Sequence, residues 1–246
     1  APSTRRPKIS GGLLDMFDAG LPFELTAGQI EAGEVISREL ARPHPMHRLL
    51  QGEVGSGKTL VALRAMLAVV DAGGQAVLLA PTEVLAQQHH QTIAGLLGPL
   101  GAGRVLGSPD VATDVVCLTG SMSAAAKKAA LLKIASGEAG IVIGTHALLA
   151  DRVQFVDLGL VVIDEQHRFG VEQRALLLDK ARTDTRPHLL VMTRRVFEMA
   201  LGVHQVLAGR HLLEIPPLSV PPVHLLHPFH VVRAAPLVQQ PVDGLA

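Results

Sequence analysis

The 246-residue chain carries 22 Lys plus Arg against 22 Asp plus Glu, so no overall field marks it for a polyanionic partner, although a groove can be basic on a neutral protein. It is 48% hydrophobic yet has no Trp, no Tyr and six Phe, so its core must be aliphatic and any nucleic-acid contact must lean on backbone and phosphate rather than on aromatic platforms. The one cysteine, Cys117, excludes an internal disulfide and fits a reducing compartment, and its neighbours Val115, Val116 and Leu118 make it a strand thiol.

The start shows no secretory pattern, and the longest apolar stretches are broken by Arg64 or by prolines; a cytoplasmic protein with no membrane partner is expected. Residues 1–20 contain Pro, Gly and Arg with little periodicity and read as a linker. Leu21-Pro22-Phe23-Glu24-Leu25-Thr26 then leads into a helical pattern, with Thr26 as N-cap and Gln29 at the third position after it. Two readings of Gln29 stand side by side. It closes a capping box, or it reads an adenine edge with an amide that offers a donor and an acceptor together.

Gly52-Glu53-Val54-Gly55-Ser56-Gly57-Lys58-Thr59 is a complete G-x-x-x-x-G-K-[ST] phosphate loop, with a short strand before it and helical apolar spacing over residues 60–70 after it. Its glycines let successive N–H groups point at one phosphate chain, and the following helix adds its positive end. Lys58 is expected at the β- and γ-phosphates of ATP and the Thr59 hydroxyl at Mg²⁺.

The same grammar then repeats. Residues 75–80 are an apolar run ending in Pro81-Thr82, followed by a helical segment over 83–97; residues 114–118 end in Thr119-Gly120-Ser121, followed by an Ala- and Lys-rich helix over 124–135. Residues 141–143 end in Gly144-Thr145-His146, residues 160–163 in Asp164-Glu165-Gln166-His167, and residues 188–192 in Thr193. Apolar strands alternating with helices predict an α/β fold, a parallel sheet with helices on both faces. Ligands of such sheets bind beyond the carboxyl ends of the strands, where each polar cluster begins. Beside a phosphate loop, Asp164 is placed to hold Mg²⁺ and Glu165 to orient or deprotonate the attacking water. His146 and His167 lack the further His or Cys that a zinc site needs. Lys127, Lys128 and Lys133 read as a solvated helix face.

These clusters, in this order, resemble superfamily 2 helicases, and their detailed wording resembles the RecG family of bacterial DNA helicases over residues 21–193. The long motifs Ala80-Pro81-Thr82-Glu83-Val84-Leu85-Ala86-Gln87-Gln88-His89 and Val162-Ile163-Asp164-Glu165-Gln166-His167-Arg168-Phe169-Gly170 carry it most specifically. Motifs of the transcription-repair coupling factor look similar, but Ser56, Glu83 and Gln166 favour the RecG wording. The resemblance implies a RecA-like phosphate-loop NTPase domain in an ATP-dependent motor acting on branched or single-stranded DNA in repair and recombination. It implies that Gly52, Gly55, Ser56, Gly57, Lys58, Thr59 and Gln29 hold the nucleotide, that Thr59 and Asp164 hold Mg²⁺, and that Lys58, Asp164, Glu165, Gln166 and His167 serve hydrolysis. Pro81, Thr82, Thr119, Gly120, Ser121, Thr145 and His146 would hold the DNA backbone.

The family pattern would continue after Met192-Thr193 with Ala-Thr-Pro, whereas Arg194-Arg195-Val196 follows here. Residues 194–246 hold seven of the 16 prolines and five of the 12 histidines and contain no Lys. That shift predicts a poorly ordered tail of non-family sequence, from a shifted reading frame or a truncated gene. The expectation is a first motor domain that binds Mg-ATP, hydrolyses it slowly and does not unwind DNA unaided. The alternative is a nucleotide- or DNA-binding remnant with little or no unwinding activity. Oligomeric state is not legible.

Overall fold

Short runs of Val, Ile and Leu form the central parts of the strands, because a parallel strand covered on both faces has no side turned to water. In the computed structural model, which describes residues 2–53, 55–103, 111–164, 177, 178, 180, 185–193 and 230–233, these are β1 (His47–Gln51), β2 (Gln75–Leu79), β3 (Asp114–Leu118), β4 (Ala139–Gly144), β5 (Leu158–Asp164), β6 (His188–Thr193) and β7 (His230–Arg233). They make one sheet in the order β3-β4-β2-β5-β6-β1-β7, and every pairing in it is parallel. The described helices are α1 (Leu13–Ala19), α2 (Ala27–Leu40), α3 (Lys58–Asp71), α4 (Glu83–Leu97) and α5 (Ala124–Ser136). The α/β reading therefore holds.

The period of two along each strand divides the core. Ala76, Leu78, Ile141, Ile143, Leu160, Val162, Leu190 and Met192 join the layer built on α1 to α4, whereas Val77, Leu79, Val142, Val161, Ile163, Leu189 and Val191 join the opposite layer with Ala130, Ile134 and Phe155. Helix α3 is apolar almost all round and correspondingly central, with nine buried residues from Leu60 to Val69. Gln75, 2% exposed, pins the amino-terminal end of the sheet: its Nε2 donates to Ile134 O (3.0 Å) and Ala139 O (2.8 Å), and its Oε1 accepts from Val156 N (2.7 Å). Cys117 lies half-buried in β3, where burial pushes its thiol pKa up, in keeping with a structural thiol.

Two segments differ from expectation. Residues 1–20 read as a linker in the sequence, but α1 places Leu13, Leu14 and Phe17 in the core. The ties that hold it come from far along the chain: Asp71, at the end of α3, accepts from Leu13 N (2.6 Å) and Leu14 N (3.0 Å), and Arg64 donates to both oxygens of Asp18 at 2.8 Å. A seven-residue helix shows too few turns for its period to be read, and its capping carboxylate is supplied by another helix. In the tail, where the composition predicts irregular structure, His230–Arg233 instead pair in parallel with Arg48 to Gln51 of β1. The open edge of β1 offers unpaired backbone groups, and Val231-Val232 is a short β-branched run between prolines. The rest of the tail lies outside the described residues.

At the amino-terminal end of β6, His188 is fully buried. Met46 N donates to its Nδ1 at 3.0 Å, so the ring is neutral with its proton on Nε2, directed to Ser3 Oγ at 3.0 Å and Thr4 O at 3.3 Å. Burial pushes its pKa down to about 4 from 6.5. The unfolded chain therefore binds the extra proton first as pH falls. The stabilisation is complete above pH 6.5 and is lost as pH drops through 4, a change of about 3 kcal/mol. Urea unfolding between pH 7 and 4 should show this loss in the wild type, and a His188→Gln variant should lack that part of the slope.

Candidate nucleotide and nucleic-acid site

The phosphate loop leaves β1 at the carboxyl edge of the sheet. Gly52 N donates to Thr193 O at 3.3 Å, tying the first loop residue to the end of β6, and Ser56 N donates to Glu53 O at 3.2 Å to close the turn. Gly55 and Gly57 hold φ of 80° and 77°, a left-handed backbone that turns the chain into α3 at Lys58. Val54 lies outside the described residues. Lys58 folds over the loop, its Nζ donating to Gly52 O at 2.6 Å and to Glu53 O at 2.7 Å. The Ser56 hydroxyl is buried and has no hydrogen-bond partner among the described residues.

Gln29 reaches this loop. Thr26 and Gln29 form a reciprocal capping box at the start of α2, with Thr26 N donating to Gln29 Oε1 at 3.0 Å and Gln29 N to Thr26 Oγ1 at 3.3 Å. The Gln29 Nε2 then donates to Ser56 O at 3.2 Å, and the side chain is 2% exposed. Both polar atoms of its amide are therefore engaged, one in the cap and one on the loop. This geometry accounts for Gln29 without a base.

Asp164 ends β5. Its residue number keeps the parity of Leu160 and Val162, which places it on the face that α3 and α4 cover. Register sets Asp164 beside Met192 and Met192 beside Leu50, one residue before the end of β1. The acid and the loop thus stand at one level, two strands or about 10 Å apart. Hydroxyl and carboxylate oxygens at such an edge suit Mg²⁺, which takes one or two protein oxygens and fills its octahedron with phosphate and water. No group of three or more His, Cys, Asp or Glu that could hold a metal occurs among the described residues. Glu165, Gln166 and His167 lie outside the described residues.

The remaining expected segments follow β2, β4 and β3, which are adjacent in the sheet and continue the same edge beyond β5. Thr82 caps α4 by accepting from Leu85 N at 3.2 Å. Glu83 Oε1 accepts from Ser121 N at 3.1 Å; the Ser121 hydrogen bonds, with Gly120 N and His146 nearby, hold its carboxyl below the usual range. Lys127 Nζ donates to Gly120 O at 2.5 Å, so this lysine braces the turn rather than standing free on its helix face. Pro81 is partly exposed and Thr82, Gly120, Ser121 and His146 are exposed, while Thr119 and Thr145 are only 1% exposed and Thr119 N donates to Met122 Sδ at 3.3 Å.

A model of the family described as DEAD/DEAH box helicase matches residues 27–198. The chain belongs to that family. It is 57% identical over 212 residues to the ATP-dependent DNA helicase RecG of Mycobacterium leprae, covering 85% of this chain and 28% of that protein. It is 43% identical over 216 residues to the RecG of a Synechocystis strain, covering 87% and 24%. Among solved structures it is similar to RecG bound to a three-way DNA junction, with a TM-score of 0.62 and 37% identity over 76% of this chain and 23% of that one. The helicase MrfA bound to DNA shares the fold, with a TM-score of 0.56 at 20% identity. The chain thus spans about a quarter of the length of the RecG proteins it matches.

Within this DEAD/DEAH box helicase unit, the sequence shows His89 only as part of a motif, yet its Nε2 lies 2.8 Å from Asp164 Oδ2. Nor does sequence reasoning single out Phe23, which is 47% exposed beside an open concavity of about 620 Å³ that Leu21, Pro22, Leu25 and Ile30 also line. An aromatic residue beside a capping box is the available signal.

The glycine geometry is testable. A Cβ at Gly57 would overlap the Gln29 Nε2, whereas one at Gly55 would meet nothing within 4 Å. Both substitutions strain a left-handed backbone by about 1–2 kcal/mol, and Gly57→Ala should lose more because of the collision. In urea unfolding, combining Gly57→Ala with Gln29→Ala should be less destabilising than the sum of the two single changes.

Proposed function

We propose that this chain is the ATP-binding motor unit of a RecG-type helicase, in which Mg-ATP occupies the loop side of the carboxyl edge and DNA the side formed after β2, β4 and β3. The observation that carries the reading is the phosphate loop at the end of β1 standing level with Asp164 at the end of β5. Gly55 and Gly57 present backbone N–H groups to the phosphates, Gly52 and Ser56 shape the loop around them through their N–H bonds to Thr193 O and Glu53 O, and the start of α3 adds its dipole. Lys58 exchanges two loop carbonyls for the β- and γ-phosphates. Thr59 and Asp164 hold Mg²⁺ from opposite sides of the gap. A Mg²⁺ ion held there would supply positive charge to offset that of the transferring phosphoryl group. Glu165 orients the hydrolytic water, and Gln166 and His167 link the nucleotide to neighbouring motifs.

Phe23 stacks the base in its open concavity, and Gln29 holds the adjoining helix to the loop; with Gln29 only 2% exposed, a direct adenine contact by its second N–H and remaining lone pair requires the surrounding segment to open. On the other side, Pro81, Thr82, Thr119, Gly120, Ser121, Thr145 and His146 form the DNA segments, in which the exposed Thr82 and Ser121 hydroxyls take phosphates without reading bases and the buried Thr119 and Thr145 shape the turns. The partner is branched or single-stranded DNA, and remodelling of stalled forks or junctions belongs to the whole helicase. An arginine from a second motor unit, worth on the order of a thousandfold in turnover, completes the hydrolytic site. The unit alone therefore binds Mg-ATP, hydrolyses it slowly and does not unwind. The reading includes a cytoplasmic location; no described helix is long and apolar enough to cross a membrane.

Equilibrium binding of ATP in the presence of Mg²⁺ tests this. Lys58→Ala should weaken binding at least about thirtyfold, as expected for removing one partner of a desolvated charge contact. Nucleotide binding that is indifferent to Lys58 would overturn the reading.

A further inference from the structure

The carboxyl edge has two halves. One ends β5, β6 and β1 and carries the nucleotide residues, and the other ends β3, β4 and β2 and carries the segments proposed for DNA. A short side-chain contact crosses the border between them: His89 Nε2 to Asp164 Oδ2, 2.8 Å, with the two side chains only 14% and 17% exposed. An ionised carboxylate can only accept, so His89 donates.

The contact is built in from both sides. On α4, His89 stands three residues after Ala86 and four before Ile93, both fully buried, so the three share the inward face of the helix. Thr82 caps the start of that helix and Glu83 fastens it to Ser121, so its position is fixed before the imidazole reaches the sheet edge. Asp164 arrives on the same face by strand parity. A helix held at its cap and along its core therefore carries a donor to the acid that ends β5.

We propose that His89 is a positioning residue for Asp164. By engaging Oδ2 it selects one carboxylate rotamer and leaves Oδ1 to face Mg²⁺. Without it, the half-buried carboxylate rotates among wells and must be reordered whenever the metal binds. The inference rests on the Mg-nucleotide reading given above. A hydrogen-bond partner behind a metal-ligating carboxylate contributes about ten- to a hundredfold to metal affinity or activity.

The test uses the full 246-residue chain and a fluorescent ATP analogue, titrated with Mg²⁺ and also measured without it. His89→Leu keeps bulk and removes the donor, His89→Ala removes both, and His89→Gln offers an amide N–H at similar reach. In either donor-less variant that retains the wild-type urea transition, the Mg²⁺ concentration for half-maximal binding should rise about ten- to a hundredfold. Metal-free nucleotide affinity should stay at the wild-type value, and His89→Gln should recover most of the loss. An unmoved Mg²⁺ midpoint overturns the proposal, as does equal weakening with and without Mg²⁺ or a Gln variant no better than Leu. Lys58→Ala and Asp164→Asn run in parallel. If wild-type binding ignores both, the nucleotide reading itself fails; if it responds to both while His89→Leu and His89→Ala behave as wild type, only the positioning role fails.

Discussion

A parallel sheet forces the carboxyl end of every strand to one edge, and the whole site depends on that constraint. Once each strand is an apolar run covered on both faces, no polar group can be accommodated along its length without a partner. The polar residues gather where the strands stop. Six ends close together then place a phosphate loop, an acid and three hydroxyl-bearing turns in one row, although they are scattered from Gly52 to Asp164 in the sequence. Strand order decides what neighbours what: β6 separates the loop from the acid by one strand, and β2 sets Pro81-Thr82, proposed for DNA, beside that acid.

The loop is held by its neighbours as well as by its own glycines. Thr193 O receives its first N–H, Gln29 donates to its Ser56 carbonyl, and Lys58 spans two of its carbonyls. Each of these bonds comes from an element that is itself fixed elsewhere in the fold, namely the end of β6, the cap of α2 and the start of α3. The Thr193 and Gln29 ties hold the loop's shape independently of Lys58, and preorganisation of this kind lowers the ordering cost of binding a flexible, multiply charged phosphate chain.

What can be read from the sequence is what local pattern encodes. The strands show as apolar runs, the loop as a fixed spacing of glycines with Lys and Thr, and the Thr26 cap as a residue pair three apart; all are in place. What cannot be read depends on contacts made at long range. The packing of α1 requires Asp71 and Arg64, and the pairing of β7 requires the open edge of β1. Side-chain direction is also hidden. Thr119 and Thr145 carry the hydroxyls expected at a phosphate surface, but the fold buries both residues to 1% exposure. His89 stands in the sequence as part of a motif, but only the fold brings it to Asp164.

The most direct measurement of the central claim is a crystal structure of the chain with Mg²⁺ and a non-hydrolysable ATP analogue. The account predicts the β- and γ-phosphates on the N–H groups of the loop, Lys58 withdrawn from Gly52 O and Glu53 O onto the phosphates, and the metal between Thr59 and Asp164. A nucleotide bound away from the carboxyl edge, or phosphates in the loop with Lys58 still on its carbonyls and Asp164 remote from the metal, would contradict it.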